Sequence, residues 1–323
     1  MPHLNEKVLF LLTPAAGPRR NKKLDHWLLE KAAHYNKEAV VMLTNPEGNY
    51  QDLAQKITQE KFGAIGICGG DGTITPIIDQ LAPLRIPFGI IPVGSGNGLA
   101  FSAKIPANPA KALALFFAET PKWMDAFRIN NRLACCICGL GLDAQVAHEF
   151  ALQPKRGLQT YIRLTARSFF SAKTFPFRIT TPDTVFSTEA FLAVVANGNQ
   201  FGNHFTIAPR ASLQDGKLDI VILQKMNKLK LLGNTLRQLI SGSPNNHPQG
   251  RLRTVMYLQT SKIHIDNPGK APFQIDGEPC PAPDHLDIEI LPRYYQLITP
   301  VKYPLPGRPG NKLNIEDCHP GKN

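Results

Sequence analysis

The run from Ala64 to Leu81 constrains this fold more than any other stretch of the chain. Ala64-Ile65-Gly66-Ile67-Cys68 is apolar throughout, the pattern of a strand covered on both faces. It runs directly into Gly69-Gly70-Asp71-Gly72-Thr73, after which Ile74, Ile77, Ile78 and Leu81 recur at helical spacing. Strand, glycine turn and helix in that order aim backbone N–H groups and a helix N-terminus at one point, a geometry suited to an anion. Glycines let the main chain approach phosphate with no Cβ in the way, and Thr73 adds a hydroxyl donor. Asp71 is unsuited to direct phosphate contact, because like charges repel. It makes sense if Mg²⁺ or its water shell lies between them, or if it receives a proton. A plain βα turn would also use such residues, since DG is a common turn pair.

A second glycine loop follows the apolar run Phe88 to Ile91. In Pro92-Val93-Gly94-Ser95-Gly96-Asn97-Gly98-Leu99-Ala100, three glycines within five residues alternate with Ser95 and Asn97. That pattern suits a backbone cradle with two polar side chains facing a nucleotide. Two such loops at the ends of parallel strands mark the edge where α/β sheets bind ligands.

The first third alternates strands with helices: strands at Lys7–Leu12, Ala39–Leu43, Ala64–Cys68 and Phe88–Ile91, helices at Lys23–Tyr35, Asn49–Lys61, Thr73–Leu81 and Pro109–Ala118. That order predicts βαβ units and a parallel sheet. From Trp123 the texture changes to short strands separated by Pro, Gly and Asn, which predicts an antiparallel β domain. These strands are Trp123–Ile129, Arg132–Leu140, Phe175–Thr180, Glu189–Ala196, Leu218–Leu223, Thr254–Gln259, Lys262–Ile265, Phe273–Ile275 and Leu286–Ile290. Leu158–Phe170 and Lys228–Leu239 read as helices within it. The tail from Pro304, rich in Pro, Gly, Asn and Lys, reads as loosely ordered.

With 43% hydrophobic and 19% charged residues, the 323-residue chain can bury a core. No apolar run approaches the roughly 20 residues of a membrane-spanning helix. Val8–Leu12 reads as a buried first strand rather than a secretory signal, because its apolar core is short and Pro18-Arg19-Arg20 follows. The six cysteines have neither zinc-ligand spacing nor a disulfide framework, which points to a reduced, cytoplasmic protein. A net charge of +11 suits nucleic acid or an anionic membrane surface. No nucleic-acid motif accompanies it, so none is expected as a partner. Lys155, Arg156, Arg163, Arg167, Lys173 and Arg178 interleave with Leu158, Tyr161, Ile162, Phe169, Phe170, Phe175 and Phe177. This mixture suits peripheral docking on an anionic bilayer, or equally a solvated basic helix face. GxxxxGK[ST], HRD and DFG motifs are absent, which disfavours P-loop NTPases and protein kinases.

Taken in order, GGDGT (69–73), PVGSGNGLA (92–100), GLGLDA (139–144), ANGNQFGNHFTIAP (196–209), LQDGKLDI (213–220) and IDGEP (275–279) resemble the diacylglycerol kinase catalytic-domain family. That family includes sphingosine kinases and bacterial lipid kinases, and the resemblance spans about Val8 to Pro300. It implies a nucleotide-binding α/β domain over 1–122 and an antiparallel β-sandwich acceptor domain over 123–290. It further implies a return of 291–303 to the first domain, with 304–323 as a flexible tail. The implied activity is transfer of the γ-phosphate of ATP, with Mg²⁺, to a lipid alcohol, diacylglycerol first and a sphingoid base second. The enzyme would be cytoplasmic and peripherally membrane-associated, and a homodimer is compatible.

Carried over by position, Gly69, Gly70, Asp71, Gly72, Thr73, Ile74, Thr75, Gly94, Ser95, Gly96 and Asn97 would form the ATP site. Thr13 joins them where the family usually begins Asn-Pro, a departure in this chain. Glu278 resembles the general base, Asp276 would assist by orienting it or through Mg²⁺, and Asp71 would position Mg²⁺ or phosphate. Asp215 resembles a family Mg²⁺ ligand, with the carbonyls of Ser212 and Lys217 beside it; a Gln-Asp-Gly turn is the plainer reading. Asp143 would face the acceptor. An NAD kinase or related soluble-substrate kinase is the rival enzyme, and a non-catalytic nucleotide- or lipid-binding module the rival of another class.

Overall fold

The computed structural model of the chain describes residues 7–14, 22–45, 48–154, 158–200, 206–225 and 255–300. The expected helix Lys228–Leu239, the tail from Pro304, Lys155 and Arg156, and the segment after Pro14 lie outside these residues.

Four parallel strands open the chain: β1 (Lys7–Leu12), β2 (Glu38–Leu43), β3 (Ala64–Gly69) and β4 (Phe88–Pro92), side by side in the order β4-β3-β1-β2. Between and after them run α1 (Lys22–His34), α2 (Gln51–Gln59), α3 (Asp71–Leu81), α4 (Gly98–Ser102) and α5 (Pro109–Ala118). All six residues of β3 are buried, as its unbroken apolar run dictates. The β3–β4 register sets Ile65 opposite Phe88 and Gly69 opposite Pro92. Both strands therefore end level, and the two glycine loops leave the sheet side by side.

The rest of the chain is largely antiparallel. It comprises β5 (Pro121–Ile129), β6 (Arg132–Ala134), β7 (Ile137–Gly141), α6 (Leu142–Ala151), α7 (Leu158–Ser171), β8 (Phe175–Thr180), β9 (Val185–Ala196) and β10 (Leu218–Gln224). Then follow β11 (Val255–Thr260), β12 (Lys262–Asp266), β13 (Phe273–Ile275), β14 (Glu278–Cys280) and β15 (His285–Ile298). The sandwich core gathers Phe127, Val195, Ile220, Ile263 and Ile288 from five strands. Each such buried side chain contributes about 1.5–3 kcal/mol.

β15 joins the two parts. Its first half pairs antiparallel with β12, β5 runs antiparallel beside it from Ile288 to Ile298, and near its end Leu297 pairs parallel with Phe88 of β4. The register shifts between Leu291 and Tyr295, where Arg293 takes φ +53. One apolar cluster runs through both parts, including Ile67 and Ile74 beneath the first loop, Leu99 beneath the second, and Cys136, Val194 and Tyr295.

Three features differ from the sequence expectation. Arg132–Leu140 is two strands rather than one, broken at Cys135-Cys136. Leu286–Ile290 is not a separate strand but the start of the unbroken β15. GLGLDA leads into α6, a helix the sequence reading did not anticipate. Among the described residues no helix is long and apolar enough to cross a membrane.

Candidate active site

The first loop is held by two hydroxyls, one just past the end of β1 and one in the first turn of α3. Thr13, just past β1, donates its N–H to the Cys68 carbonyl at 3.1 Å, and its hydroxyl meets that of Thr73 at 2.9 Å. Gly69 lies between them with no room for a Cβ, which would fall 2.9 Å from both the Thr13 hydroxyl and the Thr73 Cβ. The α3 N-terminus has Gly70 at its cap position and no capping side chain. The Thr73 and Ile74 N–H groups already meet the Gly70 carbonyl. The backbone donors left for a ligand are those at the very start of the helix, where the positive end of the helix dipole favours an anion. Ile74 is buried in the core below, so of the predicted ATP contacts its side chain is a packing group.

Asp71 ties this loop to the second. Its Oδ2 accepts from the Gly98 N–H at 2.8 Å and its Oδ1 from the Leu99 N–H at 3.0 Å, so it caps α4. Burial pushes its carboxyl up to about 6, against the lowering effect of those two bonds. Gly94 and Gly70 meet backbone to backbone: a Cβ on Gly94 would stand 2.6 Å from the Gly70 Cα. Asn97, in the left-handed region at φ +55, turns its amide inward. It accepts from the Gly94 N–H at 3.1 Å and donates to the Gly94 carbonyl at 2.9 Å. Sequence reasoning had Asn97 facing a nucleotide; here it braces the loop, while Ser95 is exposed at the tip and Gly96 stands close to Asp71.

The IDGEP segment is a two-residue hairpin between β13 and β14, in which Ile275 pairs with Glu278. Asp276 at φ +48 and Gly277 at φ +83 form the left-handed pair that such a turn requires. Asp276 is buried, and both of its oxygens are taken. Oδ2 accepts from the Thr75 hydroxyl at 2.6 Å and the Cys135 N–H at 2.9 Å, and Oδ1 from the Cys136 and Ile137 N–H groups, each at 2.9 Å. The break between β6 and β7 is thereby explained: those N–H groups leave the ladder to hold a carboxylate. Thr75, predicted to contact nucleotide, spends its hydroxyl on this bond. Asp276 thus ties the hairpin to α3.

Glu278 follows, exposed to solvent. A Cβ on Gly72 would collide with its carboxylate. The glutamate therefore lies directly over the first loop, brought there from the far end of the chain.

Asp143 is in the first turn of α6, buried, with Oδ2 accepting from Gln274 Nε2 at 3.1 Å and Oδ1 without a partner. Burial pushes its carboxyl up to about 7. Asp215, by contrast, is exposed on the loop before β10 and accepts from the Lys217 N–H at 3.1 Å. Ser212 is buried beside it. The Asp215 carboxyl is raised by partial burial and then by the neighbouring charge of Asp125, which a divalent cation would relieve. Carboxylate and carbonyl oxygens are ligands that Mg²⁺ accepts, so the donor set is compatible with it. Among the described residues, no group of three or more His, Cys, Asp and Glu side chains is placed to hold a metal.

Two buried polar residues escaped the sequence reading. Asp125 accepts from the Gly216 N–H at 2.7 Å and the Arg293 N–H at 2.8 Å, fixing both the Asp215 loop and the β15 bulge. Its signal was a lone aspartate in the apolar run Trp123 to Phe127. Gln274 is the other, in Phe273-Gln274-Ile275.

Comparison with known proteins adds to this geometry. Residues 7–129 match the diacylglycerol kinase catalytic domain, and residues 136–299 match the YegS C-terminal NAD kinase beta sandwich-like domain. A Chromohalobacter salexigens protein named "Probable lipid kinase YegS-like" is 26% identical over 78% of this chain and 80% of its own. The crystal structure of "a putative diacylglycerol kinase" from Bacillus anthracis superposes with a TM-score of 0.71 at 26% identity, covering 92% of this chain and 98% of that one. The chain belongs to the diacylglycerol kinase catalytic-domain family of enzymes, in the group that carries a YegS-type C-terminal β-sandwich.

Proposed function

We propose that this enzyme transfers the γ-phosphate of ATP to the hydroxyl of a lipid alcohol, with diacylglycerol ahead of a sphingoid base. The observation that carries the reading is Glu278 against Gly72: an exposed carboxylate directly over an uncapped helix N-terminus. Phosphate held by the α3 N-terminus and the crossing backbones of Gly70 and Gly94 lies within reach of that carboxylate. Glu278 takes the proton as the acceptor oxygen bonds phosphorus, and the phosphorus–oxygen bond to ADP breaks. Thr13, Thr73, Asp71 and Asn97 keep the loops in shape; Asp276 keeps the hairpin against α3. Mg²⁺, where bound, neutralises phosphate charge, and Asp215 with the carbonyls of Ser212 and Lys217 is the proposed site for a further ion.

The acceptor arrives from a membrane. On α7 the exposed residues Ile162, Ala166 and Phe170 recur at four-residue spacing beside exposed Arg163 and Arg167. Leu152, at the end of α6, is 83% exposed. An apolar stripe flanked by cations suits an anionic bilayer, and α7 packs on α6, the helix that carries Asp143.

Labelled-ATP transfer against diacylglycerol, monoacylglycerol, ceramide, sphingosine, phosphatidylglycerol and NAD tests the reading. A labelled lipid is the expected product; labelled NAD alone would overturn it.

A further inference from the structure

Gln274 is an amide in the middle of β13, 1% exposed between two apolar neighbours. Both ends of the side chain are engaged. Oε1 accepts from the Gly277 N–H at 2.7 Å, and Nε2 donates to Asp143 Oδ2 at 3.1 Å. A backbone N–H can meet only the oxygen, so the amide has one orientation and must turn its donor towards α6. Across the hairpin Gln274 faces Pro279, which has no N–H to offer. Gly277 immediately precedes Glu278, so Gln274 grips the Asp276–Gly277 peptide at the turn, one residue before the proposed base.

The far end of this chain of bonds is open. Asp143 Oδ1 is buried without a partner, and the carboxylate occupies the space that a side chain on Gly139 would fill. We infer that Gln274 is a positioning residue for phosphoryl transfer, holding the hairpin that bears Glu278 in register with Asp143 of α6. The role rests on the kinase reading and on Glu278 as its base.

The pH dependence carries a signature that a merely structural amide would lack. Burial holds the Asp143 carboxyl near 7, and the Gln274 bond is the strongest influence in the opposite direction. Loss of the Nε2 donor therefore raises Asp143 further. Tyr161 of α7 and Cys138 of β7 feel its charge, His148 and Glu149 lie further along its own helix, and β14, packed on α6, carries Glu278 and Cys280. Burial holds the tyrosine and the Cys138 thiol well above their ordinary range, and His148 meets the Phe273 carbonyl at 2.9 Å.

The experiment measures kcat and KM for ATP across the neutral pH range with full-length wild type, Gln274→Met and Gln274→Glu. Gln274→Met keeps the volume and loses both bonds. It should lower kcat about tenfold, the effect of a base held slightly out of place. KM for ATP should change by less than about twofold, since Gln274 bonds the hairpin and α6 and neither glycine loop. Its pH limb should move to higher pH. Gln274→Glu should fail at high pH, where two carboxylates face each other, and recover as the pH falls and the pair shares a proton. An unchanged kcat in either variant, or a loss with no movement of the pH profile, overturns the role. If Gln274→Met does not fold, the low-pH recovery of Gln274→Glu decides the matter alone. Absence of transfer by the wild type removes the kinase reading itself, and this role with it.

Discussion

Asp71 Oδ2 accepts the Gly98 N–H at 2.8 Å, so the aspartate of one glycine loop caps the helix that the other loop begins. Its second oxygen holds Leu99. Asp71→Asn replaces one acceptor with a donor facing an N–H, and Asp71→Ala removes both. The alanine variant should lose about 1–2 kcal/mol of stability, as other helix caps do. Both should bind ATP at least about tenfold more weakly, one lost hydrogen bond's worth in the loop geometry. Urea unfolding and calorimetric titration with a non-hydrolysable ATP analogue check this. Unchanged nucleotide affinity would separate Asp71 from the site.

Asp276 and Glu278 are two residues apart and should respond in opposite ways. Asp276 is buried under four donors, so Asp276→Asn leaves part of that set unmatched and should cost about 2–4 kcal/mol. Glu278 is exposed, so Glu278→Gln should alter stability by less than about 0.5 kcal/mol. It should nevertheless lower turnover about 10²-fold or more, the usual effect of losing a general base. Denaturant midpoints with initial rates on the same preparations measure both. Equal destabilisation by the two changes would contradict the division of roles.

Asp143 makes stability depend on pH in a stated direction. Its folded carboxyl titrates near 7, above the ordinary carboxylate range that the unfolded chain shows. Between roughly pH 4 and 7 the folded protein therefore holds a proton that the unfolded chain releases. The stability this provides is complete below that window and is lost as pH rises through it. Asp143→Asn cannot titrate and should gain about 4 kcal/mol relative to wild type between about pH 4 and 8. Urea unfolding at both pH values reads the difference; a constant offset would place the Asp143 titration elsewhere.

The α7 stripe predicts membrane binding with two separable parts. Ile162→Ser with Phe170→Ser should weaken sedimentation with anionic vesicles at any salt. Arg163→Glu with Arg167→Glu should weaken it mainly at low salt, where screening is least. Wild-type binding should fall as salt rises. Binding that all four changes leave intact would move the docking face elsewhere.

The sequence carried the parallel half of the fold well, because buried strands and amphipathic helices differ in period. β1 was read at its observed bounds, and β3 and β4 to within a residue. Both glycine loops were recognisable as strand-to-helix turns. What sequence could not carry was where buried polar side chains point. Asn97 and Thr75 look like ligands by position, yet each bonds to the protein itself. The break at Cys135-Cys136 was hidden because its cause, Asp276, lies far along the chain. α6 was missed because GLGLDA reads as a loop until Gln274 and the hairpin are placed against it. The meeting of Glu278 with Gly72 depends on the whole sandwich folding back on the first sheet, which no local pattern encodes.

The measurement that bears most directly on the account is transfer of labelled phosphate from ATP to diacylglycerol in mixed anionic vesicles, by wild type and Glu278→Gln side by side. The account predicts labelled lipid from the wild type and at most about a hundredth of it from a fully folded Glu278→Gln variant. Equal labelling by both proteins, or no labelled lipid from the wild type, would contradict it.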